Sequence, residues 1–163
     1  MTPTWRSAWH GQDIVIHRDT DERVRLNAAR IERLVCAQSP DSDCAVDLRF
    51  VLAFLADEAW LLPAFTGIAG PVHFERQAWW AQRACLWWVD PAHARLPAPL
   101  TARPRPWERP APRLVRLTLP EADALSMDWA LEGPLTWTER RWARIERTRP
   151  FGAANTTPAL LRA

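Results

Sequence analysis

The sequence predicts an α+β fold: an N-terminal β-hairpin, a three-helix cluster, a Pro-rich arm and a C-terminal antiparallel β-meander. Three observations carry that expectation. Apolar residues recur at helical intervals through residues 20–90, they alternate with period two after residue 113, and seven prolines fall between Pro91 and Pro112. With 163 residues the chain fits a single domain large enough to bury a core without disulfides. Its expected parts are a hairpin plus helical region (1–90), an extended arm (91–112), strands packing on the helices (113–150) and a tail (151–163).

Taken in order, TWRSAWH and DIVIH read as two short strands turning at Gly11-Gln12. Asp19 or Thr20 then caps a helix to about Ala37, because Val24, Ala28, Ile31 and Val35 share one side at helical spacing. SPDSD (39–43) breaks the chain. From Ala45 to Leu62, Leu48, Val51, Leu52, Leu55 and Ala59 define a second helix, apolar on two sides and therefore central. Partial alternation in VDLRFVLAFL also admits a strand, but the length favours a helix. The third helix is expected over Phe74–Val89, after a loop marked by Pro63, Gly67, Gly70 and Pro71.

The arm cannot be helix or central strand, since each proline fixes φ and removes a donor. No two of its prolines are three apart, so the PxxP pattern is absent and the arm is expected against its own domain or around a neighbouring subunit. Beyond it, Val115, Leu117 and Leu119 alternate with Arg116 and Thr118, and Leu125, Met127, Trp129 and Leu131 alternate with Ser126, Asp128 and Ala130. This predicts a meander with one buried side. Residues 138–149 fit either a charged edge strand or a helix, the latter opened by a Thr136–Glu139 capping box.

Composition narrows the function. All 21 cationic side chains are Arg and none is Lys, which removes ordinary kinase, P-loop and Schiff-base chemistry. The net charge of +2 is uneven: residues 1–90 hold 9 Arg against 12 acids, residues 91–163 hold 12 Arg against 7. That permits an acidic partner but falls short of a usual electrostatic nucleic-acid binder. Three cysteines (Cys36, Cys44 and Cys85) make no disulfide framework, and no CxxC, HxxxH or HExxH spacing occurs. No apolar run reaches a membrane span and the first residues lack a signal core, so a cytoplasmic protein without membrane contact is expected.

The 11 tryptophans are the main clue. On a helix over 74–89, Arg76, Trp80, Arg83 and Trp87 form a ladder on one side, while Phe74, Ala78, Ala81, Cys85 and Trp88 face the core. Trp107 between Arg105 and Arg109, and Trp142 among Arg140, Arg141 and Arg144, repeat that chemistry. Trp and Arg are the residues most enriched at binding hot spots. The expected function is therefore a non-catalytic accessory or adaptor subunit of a larger assembly. Its partner is a protein or a second copy, held by Arg76, Trp80, Arg83, Trp87, Arg105, Trp107, Arg109, Arg141 and Trp142. The alternatives are a nucleic-acid-contacting protein using the Arg-rich C-terminal half, and an enzyme whose Cys/His/acid site is assembled across the fold. No cofactor or metal is expected.

Overall fold

The computed structural model describes residues 5–41, 47–63, 85–102 and 111–148. Strand β1 (Trp5–His10) turns through Gly11-Gln12 into β2 (Asp13–Arg18). Gly11 takes φ +64° while Gln12 stays at negative φ, the pattern of a two-residue hairpin turn with its first centre inverted. A second two-residue turn, with Asp19 at φ 57°, leads into β3 (Asp21–Asn27), completing a three-stranded antiparallel sheet.

The rest of the first half departs from the expected helices. Residues 20–37 are two strands, β3 and β4 (Ile31–Ala37), joined by a single 3₁₀ turn at Ala28–Arg30. The turn mimics helical spacing: by redirecting the chain it brings Val24 and Ala28 into one core with Ile31. Val24, Ile31 and Val35 are β-branched, which favours the strand. The Asn27 side chain accepts from the Ala29 N–H at 2.9 Å and fixes the turn.

Residues 45–62 likewise form no helix. Strand β5 (Phe50–Leu55) is buried at every position, and the chain reverses at Asp57-Glu58 into β6 (Ala59–Pro63). Apolarity on two sides here marks a central strand covered on both faces. Of the expected third helix, the described part is strand β7 (Leu86–Val89), parallel to β4; residues 74–84 lie outside the described residues.

In the arm, Asp90 caps a turn by accepting from the Ala92 N–H at 2.9 Å, and a 3₁₀ turn follows at Ala98–Leu100. Short β8 (Thr101–Ala102) pairs with β9 (Ala111–Pro112), so the ends of this stretch come together instead of running out as one extended arm. Ala94, Leu96 and Leu100 pack on the chain's own core. The meander is also replaced. Among its described residues only β10 (Val115–Leu117) is a strand, and helix α1 (Leu119–Ser126) follows at once. Thr118 and Glu121 make a reciprocal capping box and Pro120 occupies the first turn, where its missing N–H costs nothing. Helix α2 (Trp137–Thr148) ends the described chain.

The five-stranded sheet has the order β10-β6-β5-β4-β7. One face joins the three-stranded sheet in a core that includes Ile14, Ile16, Leu34, Val51, Leu62 and Trp88. The other face, with Val35, Phe50, Leu52 and Leu61, takes α1 and Trp129. Phe50 and Trp129 meet with ring centroids 5.6 Å apart, tilted by 54°. The described residues thus form sheet, sheet and helix in layers, and the three-helix cluster is replaced by strands.

Candidate binding surface

Helix α2 begins with the same device as α1. The Glu139 N–H donates to Thr136 Oγ1 at 3.2 Å, and Glu139 Oε2 accepts from the Thr136 N–H at 2.8 Å and from its hydroxyl at 2.9 Å. These bonds hold the Glu139 carboxyl below its ordinary pKa of 4.5. The chain reaches α2 along the outer edge of β7. Trp88 and Glu132 exchange both backbone hydrogen bonds at 2.8 Å, and the Leu135 N–H donates to the Leu86 carbonyl at 2.9 Å. Gly133 sits in this ladder at φ +141°, where an added Cβ would lie 2.8 Å from the Leu86 oxygen.

The inner side of α2 carries a buried arginine. Arg140 is only 5% exposed, with its guanidinium carbon 4.3 Å from the Trp88 ring centroid. Its Nη2 donates to the Gln38 carbonyl at 2.9 Å and its Nη1 to Gln38 Oε1 at 3.4 Å. Trp88 is fixed in turn by donating Nε1–H to the Leu135 carbonyl at 2.9 Å. One turn on, Arg144 donates to the Asp41 carbonyl at 3.1 Å. Arg140 Nε is buried with no hydrogen-bond partner. Burial pushes the Arg140 pKa down; Glu132 opposes that shift, and Arg147 and Arg144 add to it. The stack over Trp88, worth up to about 2 kcal/mol when desolvated, and the two bonds to Gln38 offset part of the cost of burying the charge.

Beneath Arg140, burial pushes the Cys36 thiol up to about 12. Cys36 lies in β4 and Cys85 directly precedes β7, neither in a helix, and both are buried free thiols. Cys36 is therefore a neutral core residue, not a nucleophile.

The outer side of α2 is different. Trp142 lies about 160° around the helix from Arg140 at about 100° per residue and is 56% exposed, with Arg141 exposed beside it. The structure thus keeps Arg141 and Trp142 on one surface and takes Arg140 and Arg144 away from it. Trp87 sits on β7, half-buried against the α1-side core and pointing opposite to Trp88, so it is not a rung of a helical ladder. Arg76, Trp80, Arg83, Arg105, Trp107 and Arg109 lie outside the described residues. Gln38 was not among the sequence candidates, and Arg140, grouped there with Trp142, turns inward to it instead; the capping box offered the signal, because it sets the helix phase and aligns 140, 144 and 147.

Elsewhere several acidic side chains pair with arginines. Asp57 bridges Arg30 at 2.6 Å, Glu58 bridges Arg116 and accepts from Trp60 Nε1–H at 2.9 Å, and Glu22 bridges Arg25 at 3.0 Å. Asp57 and Glu58 are hairpin-turn residues with arginine partners, not acids inside a helix. Among the described residues, no cluster of three or more His, Cys, Asp or Glu side chains has metal-binding geometry, and no helix is long and apolar enough to cross a membrane. Comparison with protein families, curated proteins and solved structures finds no match to this chain.

Proposed function

We propose that the chain is a non-catalytic accessory subunit that binds a protein partner through the outer side of α2, with Trp142 as anchor. The observation that carries this is an indole left 56% exposed on a helix, with exposed Arg141 beside it and exposed Glu139 and Glu146 about one turn away. Covering the exposed part of one indole is worth on the order of 2–4 kcal/mol, and Trp flanked by Arg suits a hot spot with a polar rim. The cytoplasm is the proposed compartment, supported by the free thiols of Cys36 and Cys85.

The experiment is affinity capture from the native host with and without nuclease, comparing wild type with Trp142→Ala and checking both by size exclusion. The expected result is a defined, nuclease-resistant partner or a dimer that Trp142→Ala loses while its circular dichroism stays unchanged. Retention of the same partner by Trp142→Ala would refute the assignment. A second reading, contact with single-stranded nucleic acid, is favoured by the Arg141–Trp142 adjacency, since indoles stack on bases and guanidinium groups take phosphates. It predicts nuclease-sensitive capture that weakens steeply with salt.

A further inference from the structure

Helix α2 gives Trp142 two unlike flanks. At about 100° and 1.5 Å per residue, Glu139 and Glu146 stand about 60° and 40° to one side of it, about 4.5 Å before and 6 Å after it along the axis. Arg141 lies about 100° to the other side. All four residues are exposed. Among the described residues, neither glutamate has an arginine or histidine nitrogen within 4.0 Å. By contrast, Asp57, Glu58 and Asp123 each hold an arginine supplied by another part of the fold. Thr136 engages Glu139 at Oε2 and holds it below its ordinary pKa, so its charge is complete at neutral pH. An indole 56% exposed thus stands beside two carboxylates that straddle it along the helix. A ring face attracts a cation, and carboxylates next to it add charge-assisted hydrogen bonds. An arginine meets both demands at once, because its planar guanidinium stacks on the ring while its N–H fork reaches the carboxylates.

We infer that this flank of α2 receives an arginine side chain of the protein partner, stacked on Trp142 and held by Glu139 and Glu146. The inference rests on the partner-binding reading above and deepens it by naming the chemistry the partner brings, a basic segment. Charge complementarity decides between the classes of partner. The phosphates of a nucleic acid would meet two carboxylates on this flank, and like charges so placed work against binding. A basic segment is attracted by both carboxylates and keeps clear of Arg141 on the far flank.

The test uses the full chain with ¹⁵N-labelled tryptophan, titrated at fixed ionic strength with an acetylated, amidated Gly-Arg-Arg-Gly peptide, its Gly-Glu-Glu-Gly counterpart or single-stranded oligothymidylate. Trp142→Phe, at an exposed position, identifies the Trp142 indole N–H resonance. The expected result is a shift of that resonance that saturates with the arginine peptide and with neither of the others. Glu146→Gln, away from the cap, should weaken the midpoint about two- to five-fold with circular dichroism unchanged. No saturable shift with the arginine peptide, an equal shift with either control, or a midpoint unchanged in Glu146→Gln would each overturn the inference. If the arginine peptide fails while Trp142→Ala still loses the captured partner, the partner surface stands and the arginine is refuted. Retention of the captured partner by Trp142→Ala removes the surface itself, whatever the peptide does.

Discussion

Helices α1 and α2 open with the same four-residue signal, Thr118-x-x-Glu121 and Thr136-x-x-Glu139, and are anchored in opposite ways. Helix α1 lies on the sheet by apolar contact: Ala122 is fully buried, with Leu119 and Leu125 packed around it. A single ion pair, Arg33 to Asp123 at 2.8 Å, ties its exposed side to β4. Helix α2 turns an arginine inward and rests on a Trp ring and a backbone turn. Capping chemistry therefore sets where a helix starts, and says nothing about what holds it in place. A helix seated by polar contacts is the easier one to lift, because directional bonds vanish with a small displacement while buried area declines gradually.

The largest expected effect separates the two modes at Arg140. Arg140→Ala removes the stack, strands the Gln38 acceptors and leaves a void, at about 2–4 kcal/mol in urea unfolding. Arg140→Met fills the same space without a buried charge and should stay within about 1 kcal/mol of wild type or exceed it. A Met variant as damaged as the Ala variant would show that the charge itself holds α2. On α1, Ala122→Leu should cost about 1–3 kcal/mol by overpacking against the sheet, and a neutral result would mean α1 is loosely seated. The caps should be equivalent: Thr118→Ala and Thr136→Ala should each cost about 1 kcal/mol.

A smaller, pH-dependent effect follows from the same caps. Glu121 and Glu139 are both held below their ordinary value of 4.5 by hydrogen bonds from Thr118 and Thr136. A depressed folded pKa means their contribution is complete above 4.5 and is lost as pH falls through the lower folded value. Thermal melts from pH 6 to pH 3 should therefore fall less steeply for Glu121→Gln/Glu139→Gln than for wild type. An equal slope would place the acid sensitivity elsewhere. Last, with its thiol near 12, Cys36 should react with an aromatic disulfide at pH 8 only as fast as the protein opens. Fast labelling of the native chain would mean that the ground beneath Arg140 is not dry.

How much of this was legible follows from the physics of each segment. The first hairpin was, because Gly11-Gln12 and the apolar run after it are local signals. Residues 20–37 were not: two strands and a three-residue turn reproduce helical intervals without being a helix. Strand β5, covered on both faces, shows only partial alternation, and the length of the apolar stretch outweighed it. Helix α1 was hidden by Val115, Leu117 and Leu119, whose alternation crosses a strand end into a helix start, although its capping box stood in the sequence. On α2 the outward pair Arg141 and Trp142 was named from local chemistry. The inward Arg140 depends on Gln38 and Trp88, about 100 and 52 residues earlier, a proximity that only the tertiary fold creates.

The segment through Glu132 and Gly133 has a consequence for solution behaviour. A strand at the margin of a sheet offers its amides to any other chain, and β7 would be such a margin. The pair of backbone hydrogen bonds between Trp88 and Glu132, brought close by a residue with no side chain, spends those amides within the molecule. Placing a methyl group at Gly133 would push this cover away, so that Gly133→Ala is the change that invites polymerisation along the sheet.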